Sequence, residues 1–218
     1  GHSIHVASEE FDRGLGVNAD VERITGAVPG VTFGDVPPRE KTALTAWSYW
    51  LHMLMDWIRY FHPRFANAYA LRVRVEQQLP TWMVSAVYAI KRVDPECRGL
   101  MRVLRALDRA TPPSRVIQKF IADAAPDLVI VTPYVYIGFE QADHVKAAQA
   151  LGIRTAVCIA SWDNLTNKGV ISTTPDRVFV WNDAQREEAV SLHEVPVERV
   201  VVTGAQLFDR WFERKPSQ

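Results

Sequence analysis

The rhythm of hydrophobic positions changes near Pro113. Before it, apolar residues recur every three to four positions. After it, they gather in short unbroken runs separated by helical stretches. In the first half Leu44, Trp47, Leu51, Leu54, Ile58 and Phe61 alternate steps of three and four, which lines them on one face of a long helix. His62-Pro63 is placed to break that helix, because proline lacks an N–H and crowds the preceding turn. Further helices are predicted from Ala66 to Gln78, Thr81 to Arg92 and Arg98 to Ala110, so 38–112 forms a helical block. In the second half the pattern predicts a helix over Ser114–Ala124, a strand over Leu128–Val131, a helix over Gln141–Leu151 closed by Gly152, and a strand over Thr155–Ala160. A strand over Val178–Trp181, a helix over Asp183–Leu192 capped by Asn182 and a strand over Val200–Thr203 follow. At the start, Ser3–Ser8 reads as a strand, about Asp20–Ala27 as a helix and Val31–Phe33 as a short strand.

Short apolar strands alternating with helices predict βαβ units and a parallel sheet. The expected class is therefore α/β: a Rossmann-like sheet with flanking helices in a single, incomplete domain, with 38–112 as an insertion and 113–209 as the βα core. A chain that opens inside a strand and stops after a short amphipathic piece reads as part of something longer.

Composition narrows the class without naming a chemistry. The chain has 218 residues, 48% of them hydrophobic, with 25 Lys+Arg balanced by 25 Asp+Glu. Zero net charge gives no reason to expect a broad nucleic-acid-binding face. Two cysteines are too few for a disulfide framework and fit a reducing, cytoplasmic setting. The uncharged stretch between Lys41 and Asp56 is too short to cross a bilayer. The six histidines show no zinc spacing, P-loop and G-x-S-x-G motifs are absent, and a metal site is not expected. The aromatic helix around Trp47, Tyr49, Trp50, Trp57, Tyr60 and Phe61 is expected to be a core or interface helix. Peripheral contact with the inner membrane face is its alternative.

Ligands of open α/β sheets bind beyond the carboxyl ends of the strands. That rule selects Thr132–Glu140, Ser161–Gly169 and Gly204–Asp209. The middle segment is the richest: Ser161, Trp162, Asp163, Asn164, Thr166, Asn167 and Lys168 offer an aromatic face, a carboxylate, amides, hydroxyls and an ammonium, a set suited to a polyhydroxylated ligand. The alternative is an ordered turn in which Asp163 and Asn164 bond their own backbone and Trp162 fills the core. Thr132 and Tyr134 follow the first Val-rich strand, and Gly204 and Gln206 follow the last. Gly204 allows backbone N–H groups to approach a phosphate or sugar, or simply makes a turn of positive φ. Gly14-Leu15-Gly16-Val17-Asn18-Ala19 matches the G-x-G-x-x-A pattern, but Glu9, Glu10, Asp12 and Arg13 separate it from the strand. That argues against a dinucleotide site.

The runs PDLVIVTPYV, IRTAVCIASWDNLTNKG and DRVFVWNDAQREEAVSLHEVPVERVVVTGAQLFD resemble the N-terminal half of a GT-B-type glycosyltransferase. They are similar to the bacterial surface-carbohydrate and CDP-glycerol-transferase-like group, with UDP-N-acetylglucosamine 2-epimerases as more distant cousins. The resemblance covers about Pro126 to Asp209, with Ser3–Ala7 as the family's second strand. It implies two Rossmann-like domains across a cleft. The one seen here would hold a sugar or polyol acceptor, and a further C-terminal domain would hold a nucleotide-activated donor. No bound cofactor or metal is implied. Carried over by position, Trp162, Asp163, Asn164, Thr166 and Lys168 line the acceptor side, and Gly204 and Gln206 lie near the interdomain passage. Asp163 is the nominated catalytic residue, as acid/base or as hydrogen-bond partner of the acceptor. The family's first strand, its following loop and the donor domain have no counterpart in this sequence, so the chain alone is expected to be inactive in transfer. An epimerase-like enzyme and a non-catalytic Rossmann-like binding module are the alternatives.

Overall fold

The computed structural model describes residues 1–8, 23, 26–134 and 141–213. The G-x-G-x-x-A segment, most of the helix expected over 20–27 and the later part of the Thr132–Glu140 loop lie outside them.

Two parallel sheets form. β1 (Ile4–Ser8) pairs with β2 (Val31–Asp35), Ile4 opposite Val31 and Ser8 opposite Asp35. β3 (Leu128–Val131), β4 (Arg154–Cys158), β5 (Arg177–Val180) and β6 (Val200–Val202) make a four-stranded sheet in chain order. Its core consists of Val131, Val145, Val157, Leu165, Ile171, Val178, Val180 and Val200 with their neighbours. The protein is thus α/β, with a parallel sheet flanked by helices. Strand ends shift by a residue or two from the sequence reading: Arg154 and Arg177 enter their ladders, while Ile159, Ala160 and Trp181 fall past the ends.

The helices begin and end where local chemistry permits. α1 (Ala43–Arg59) is capped by Thr42, whose Oγ1 accepts from Thr45 N at 3.2 Å while Thr45 Oγ1 accepts from Thr42 N at 2.9 Å. It stops before Pro63, which opens a 3₁₀ turn over Pro63–Phe65. Next come α2 (Tyr69–Glu76), three residues shorter at its start than the sequence suggests, α3 (Thr81–Lys91) and α4 (Arg98–Ala110). α5 (Arg115–Ala124) closes at Ala125, which takes a left-handed φ of 42° just before Pro126. α6 (Ala142–Ala150) closes at Gly152, φ 73°. α7 (Asn164–Asn167) is a single turn. α8 (Asp183–His193) is capped by Asn182, whose Oδ1 accepts from Gln185 N at 2.9 Å. α9 (Asp209–Glu213) follows a 3₁₀ turn at Gln206–Phe208.

The helical block has its own core of Leu51, Met53, Met55, Trp57, Ile58, Tyr60, Val87, Met101 and Leu104, which Val170 and Leu192 of the α/β half join. One expectation is corrected here. The face drawn through Leu44, Trp47, Leu51, Leu54, Ile58 and Phe61 does not run the length of α1: Leu44 and Trp47 are exposed, whereas Ser48, His52, Asp56 and Arg59 are buried. The C-terminal half of α1 is enclosed from several sides, by α2, α4 and the segment after α7, so position around the axis no longer decides burial. Trp57, Tyr60 and Phe61 are interior. No helix among the described residues is long and apolar enough to cross a membrane.

α5 covers both sheets. Ile117 and Ile121 pack with Val36 after β2 and with Ala147 and Ala148 of α6, and Val129 of β3 packs against the same cluster. Phe120 meets the His5 ring of β1 at 6.4 Å. Among the described residues β1 is paired only with β2 and β3 only with β4, and Ile4, Leu128 and Ile130 are each close to half exposed.

Candidate functional site

The carboxyl ends of β4, β5 and β6 are joined into one rim. At its centre stands Gln185, buried in the first turn of α8: its Nε2 donates to Ser161 O at 3.0 Å and its Oε1 accepts from Trp181 N at 2.8 Å. The Trp181 ring meets Phe208 edge-on at 5.7 Å, which ties in the turn after Gly204. Gln185 was not singled out from the sequence. A glutamine on a polar helix face carries no local sign that its amide will bridge two loops.

Within Ser161–Lys168 the side chains divide into those that build the turn and those that face outward. Asn164 is buried, and its Oδ1 accepts from Ala160 N at 3.1 Å and Ser161 N at 2.8 Å. Leu165 fills the sheet core. Ser161 Oγ donates to Asp163 Oδ1 at 2.6 Å, Asn167 Nδ2 donates to Asp163 Oδ2 at 3.1 Å, and Thr166 Oγ1 donates to the Asp163 carbonyl at 3.3 Å. Trp162 does not enter the core; at 74% exposure it stands over the rim. The hydrogen bond from Ser161 holds the Asp163 carboxyl below the usual carboxylate range, with Asn167 and the Lys168 charge adding to it. A carboxylate stabilised in this way is a hydrogen-bond acceptor and a fixed negative charge before it is a proton acceptor.

The helical block clamps this loop from beneath. Arg59, 4% exposed, donates to Leu165 O at 2.8 Å and to the Lys168 carbonyl, which also accepts from Tyr60 Oη at 3.2 Å. Arg74 donates to Asn167 O, and Asp56 Oδ1 accepts from Val170 N at 2.6 Å. These partners lie about a hundred residues away in the chain, so nothing near the loop's own sequence announces them. Beside Arg59, His193 Nδ1 accepts from Ile171 N at 3.0 Å, which places its proton on Nε2, donated to Leu165 O at 2.7 Å. Burial, then the Arg59 charge, pushes this imidazole well below its ordinary pKa.

The remaining candidates are placed separately. Thr132 is exposed at the end of β3. Tyr134 is buried: its hydroxyl donates to Thr173 O at 2.9 Å and accepts from Thr173 N at 3.1 Å, a latch between the residues after β3 and the connection from α7 to β5, and burial raises its pKa. Gly204 has φ 85° with open space where a Cβ would stand, so backbone conformation rather than a crowding neighbour selects glycine. Gln206 is exposed at the start of its 3₁₀ turn. The rim therefore presents Trp162, the Asp163 carboxylate, Thr132, Gly204 and Gln206 outward, while Asn164 and Tyr134 hold the scaffold. Among the described residues no three His, Cys, Asp or Glu side chains converge as a metal site would require.

The class defined by this fold and rim is a parallel α/β domain with a polar, aromatic ledge at the carboxyl ends of its strands. No family model, curated protein or solved structure matches the chain.

Proposed function

We propose that the chain is the acceptor-side domain of a transferase, glycosyl or glycerophosphate in type, that works with a nucleotide-activated donor in bacterial surface-polysaccharide synthesis on the cytoplasmic side. The observation that supports it is the pairing on one rim of an exposed indole, Trp162, with a carboxylate held ionised, Asp163. A sugar or polyol presents C–H faces that stack on an indole and hydroxyls that donate to a carboxylate, so this ledge suits it. A second domain carrying the donor would close over the rim. The acceptor oxygen would then attack the anomeric carbon or phosphorus in line, and the bond to the nucleotide would break with its electron pair leaving on the nucleotide. The acceptor proton would go to a base outside the described residues. In this reading Asp163 orients the acceptor hydroxyl.

Tryptophan emission tests the ledge directly. N-acetylglucosamine, maltose and glycerol 3-phosphate are titrated into the chain and into Trp162→Phe. At least one probe is expected to change the emission of the parent, and the response should vanish in Trp162→Phe. Affinity for that probe should fall by about tenfold or more in Trp162→Ala, in keeping with the loss of a well-placed aromatic anchor. A response to none of the three probes, or one that survives in Trp162→Phe, removes the basis of the proposal.

A further inference from the structure

A second cleft, of about 420 Å³, opens between the C-terminal end of α1, the length of α4 and the C-terminal end of α8, and no residue of the rim lines it. Its volume falls in the range of small-molecule sites, roughly 300–1,000 Å³. Three arginines of α4, Arg98, Arg102 and Arg105, recur at helical spacing and share the face that lines it, and Arg59 of α1 lines it as well. Two carboxylates, Glu96 and Glu194, answer these four guanidinium groups.

The pairing within the cleft is incomplete. Arg98 is matched to Glu96, with its NH2 2.9 Å from Oε1. Arg105 donates through NH2 to His193 O at 3.2 Å, while its Nε lies 3.6 Å from Glu194 Oε2, beyond hydrogen-bond reach, and the Glu194 side chain is 64% exposed. Arg59 is spent on neutral groups, the carbonyls of α7 and the Tyr60 hydroxyl, with no carboxylate on it. Arg102 has no hydrogen-bond or ion-pair partner among the described residues. The Nε–H groups of both Arg59 and Arg105 are buried without an acceptor. Burial, with the nearby Arg109 charge adding to it, lowers the Arg105 pKa even against the pull of Glu194. Four guanidinium groups facing two carboxylates, one of them largely exposed, leave the cleft with an excess of positive charge that an anion offsets.

We infer that this cleft binds a phosphorylated small molecule, with a phosphate monoester or diphosphate group lodged between Arg102 and Arg105. Carboxylate ligands suit it less well. A phosphoryl group offers three acceptor oxygens and up to two negative charges, which matches the two guanidinium forks of Arg102 and Arg105 and the excess of two cations over carboxylates in the cleft. The walls are three helices, so the site is formed before the ligand arrives.

Isothermal titration of the 218-residue chain with inorganic pyrophosphate tests this, with citrate as a carboxylate of comparable charge and Arg102→Gln as the variant. Arg102 is exposed and unpaired, so its replacement leaves the fold intact, and circular dichroism checks that it does. Pyrophosphate is expected to bind at a single site, more weakly as sodium chloride is raised, with citrate weaker still. Arg102→Gln is expected to lower the pyrophosphate affinity about tenfold, the size of one lost charge-assisted hydrogen bond. Trp162→Ala should bind pyrophosphate as the parent does, which separates this site from the rim. Absence of pyrophosphate binding, equal binding of citrate, or undiminished affinity in Arg102→Gln overturns the assignment.

Discussion

Asn164 shows how one side chain decides the shape of the rim. Its carbonyl oxygen takes both the Ala160 and the Ser161 N–H, the two donors left over where β4 ends, and so turns the chain sharply enough to hold Trp162 out in solvent. Asn164 is buried, so Asn164→Ala would take the acceptor from two part-buried backbone donors. A loss of about 1–3 kcal/mol in urea unfolding is expected, together with a shift of Trp162 emission in the folded protein. A variant as stable as the parent would mean that the turn is held by Arg59 and Gln185 instead. The cluster S-W-D-N-L-T-N-K-G was visible in the sequence as a polar loop at a strand end, and its reading as an ordered turn holds for Asn164 but not for Trp162, which stays out of the core. Asn164 and Leu165 serve the turn and the core, while Trp162 faces outward. Composition alone could not divide the roles, because the division depends on which side chains meet backbone donors and which meet water.

Among the elements, β4 and β5 are shielded on both edges and β1 and β3 on one. Among the described residues β3 is an edge strand, and its Leu128 and Ile130 stand exposed beside that edge. Hydrogen exchange should therefore be faster along 128–131 and 4–8 than along 154–158 and 177–180, by a margin that reflects local opening rather than global unfolding. Protection of β3 equal to that of β4 would show that its outer edge is covered in solution. Strands were recognisable because each is a run of apolar residues bounded by turn formers such as Pro126-Asp127. Their partners were not, since a run of Val and Ile says nothing about which neighbour will hydrogen-bond to it. The same limit explains α1: a period near 3.6 locates a helix, but the all-round burial of its second half comes from α2, α4 and the loop after α7.

For the whole molecule, buried charges fasten the helical block to the α/β half. Asp108 of α4 is fully enclosed; His52 Nε2 lies 2.9 Å from its Oδ1, and Lys146 Nζ of α6 donates to the same oxygen at 2.7 Å. Burial alone would raise the Asp108 pKa, but the hydrogen bond and charge of His52, then Lys146, bring it below the ordinary value. Arg39 and Asp143 form a second such link. Histidines set the pH response. Burial and then the Arg39 charge bring His144 down to about 4, and His193 is also held well below its ordinary value. An unfolded chain has both near 6.5, so between about pH 6.5 and about pH 4 it binds more protons than the folded one, and stability falls as pH falls through that window. Asp143 and Glu188, whose pKa values burial raises, work the opposite way and blunt the slope. The urea midpoint is expected to be lower at about pH 5 than at about pH 7, with a smaller drop in His144→Gln. A midpoint that rises on acidification would contradict this balance.

Local rules were sufficient for helix and strand positions to within a few residues, for the Asn182 cap, for the stop at Gly152, and for the expectation of a parallel α/β sheet. Each depends on residues within a turn or two of one another. Only the tertiary structure decided that Gln185 joins two loops, that Arg59 and Tyr60 grip the carbonyls of α7 and Lys168, and that three arginines of α4 meet Arg59 across a cleft. Those contacts join positions tens to more than a hundred apart in the chain. Burial supplies the reason: once water is excluded, every donor, acceptor and charge must find its partner through space, whatever its distance in sequence.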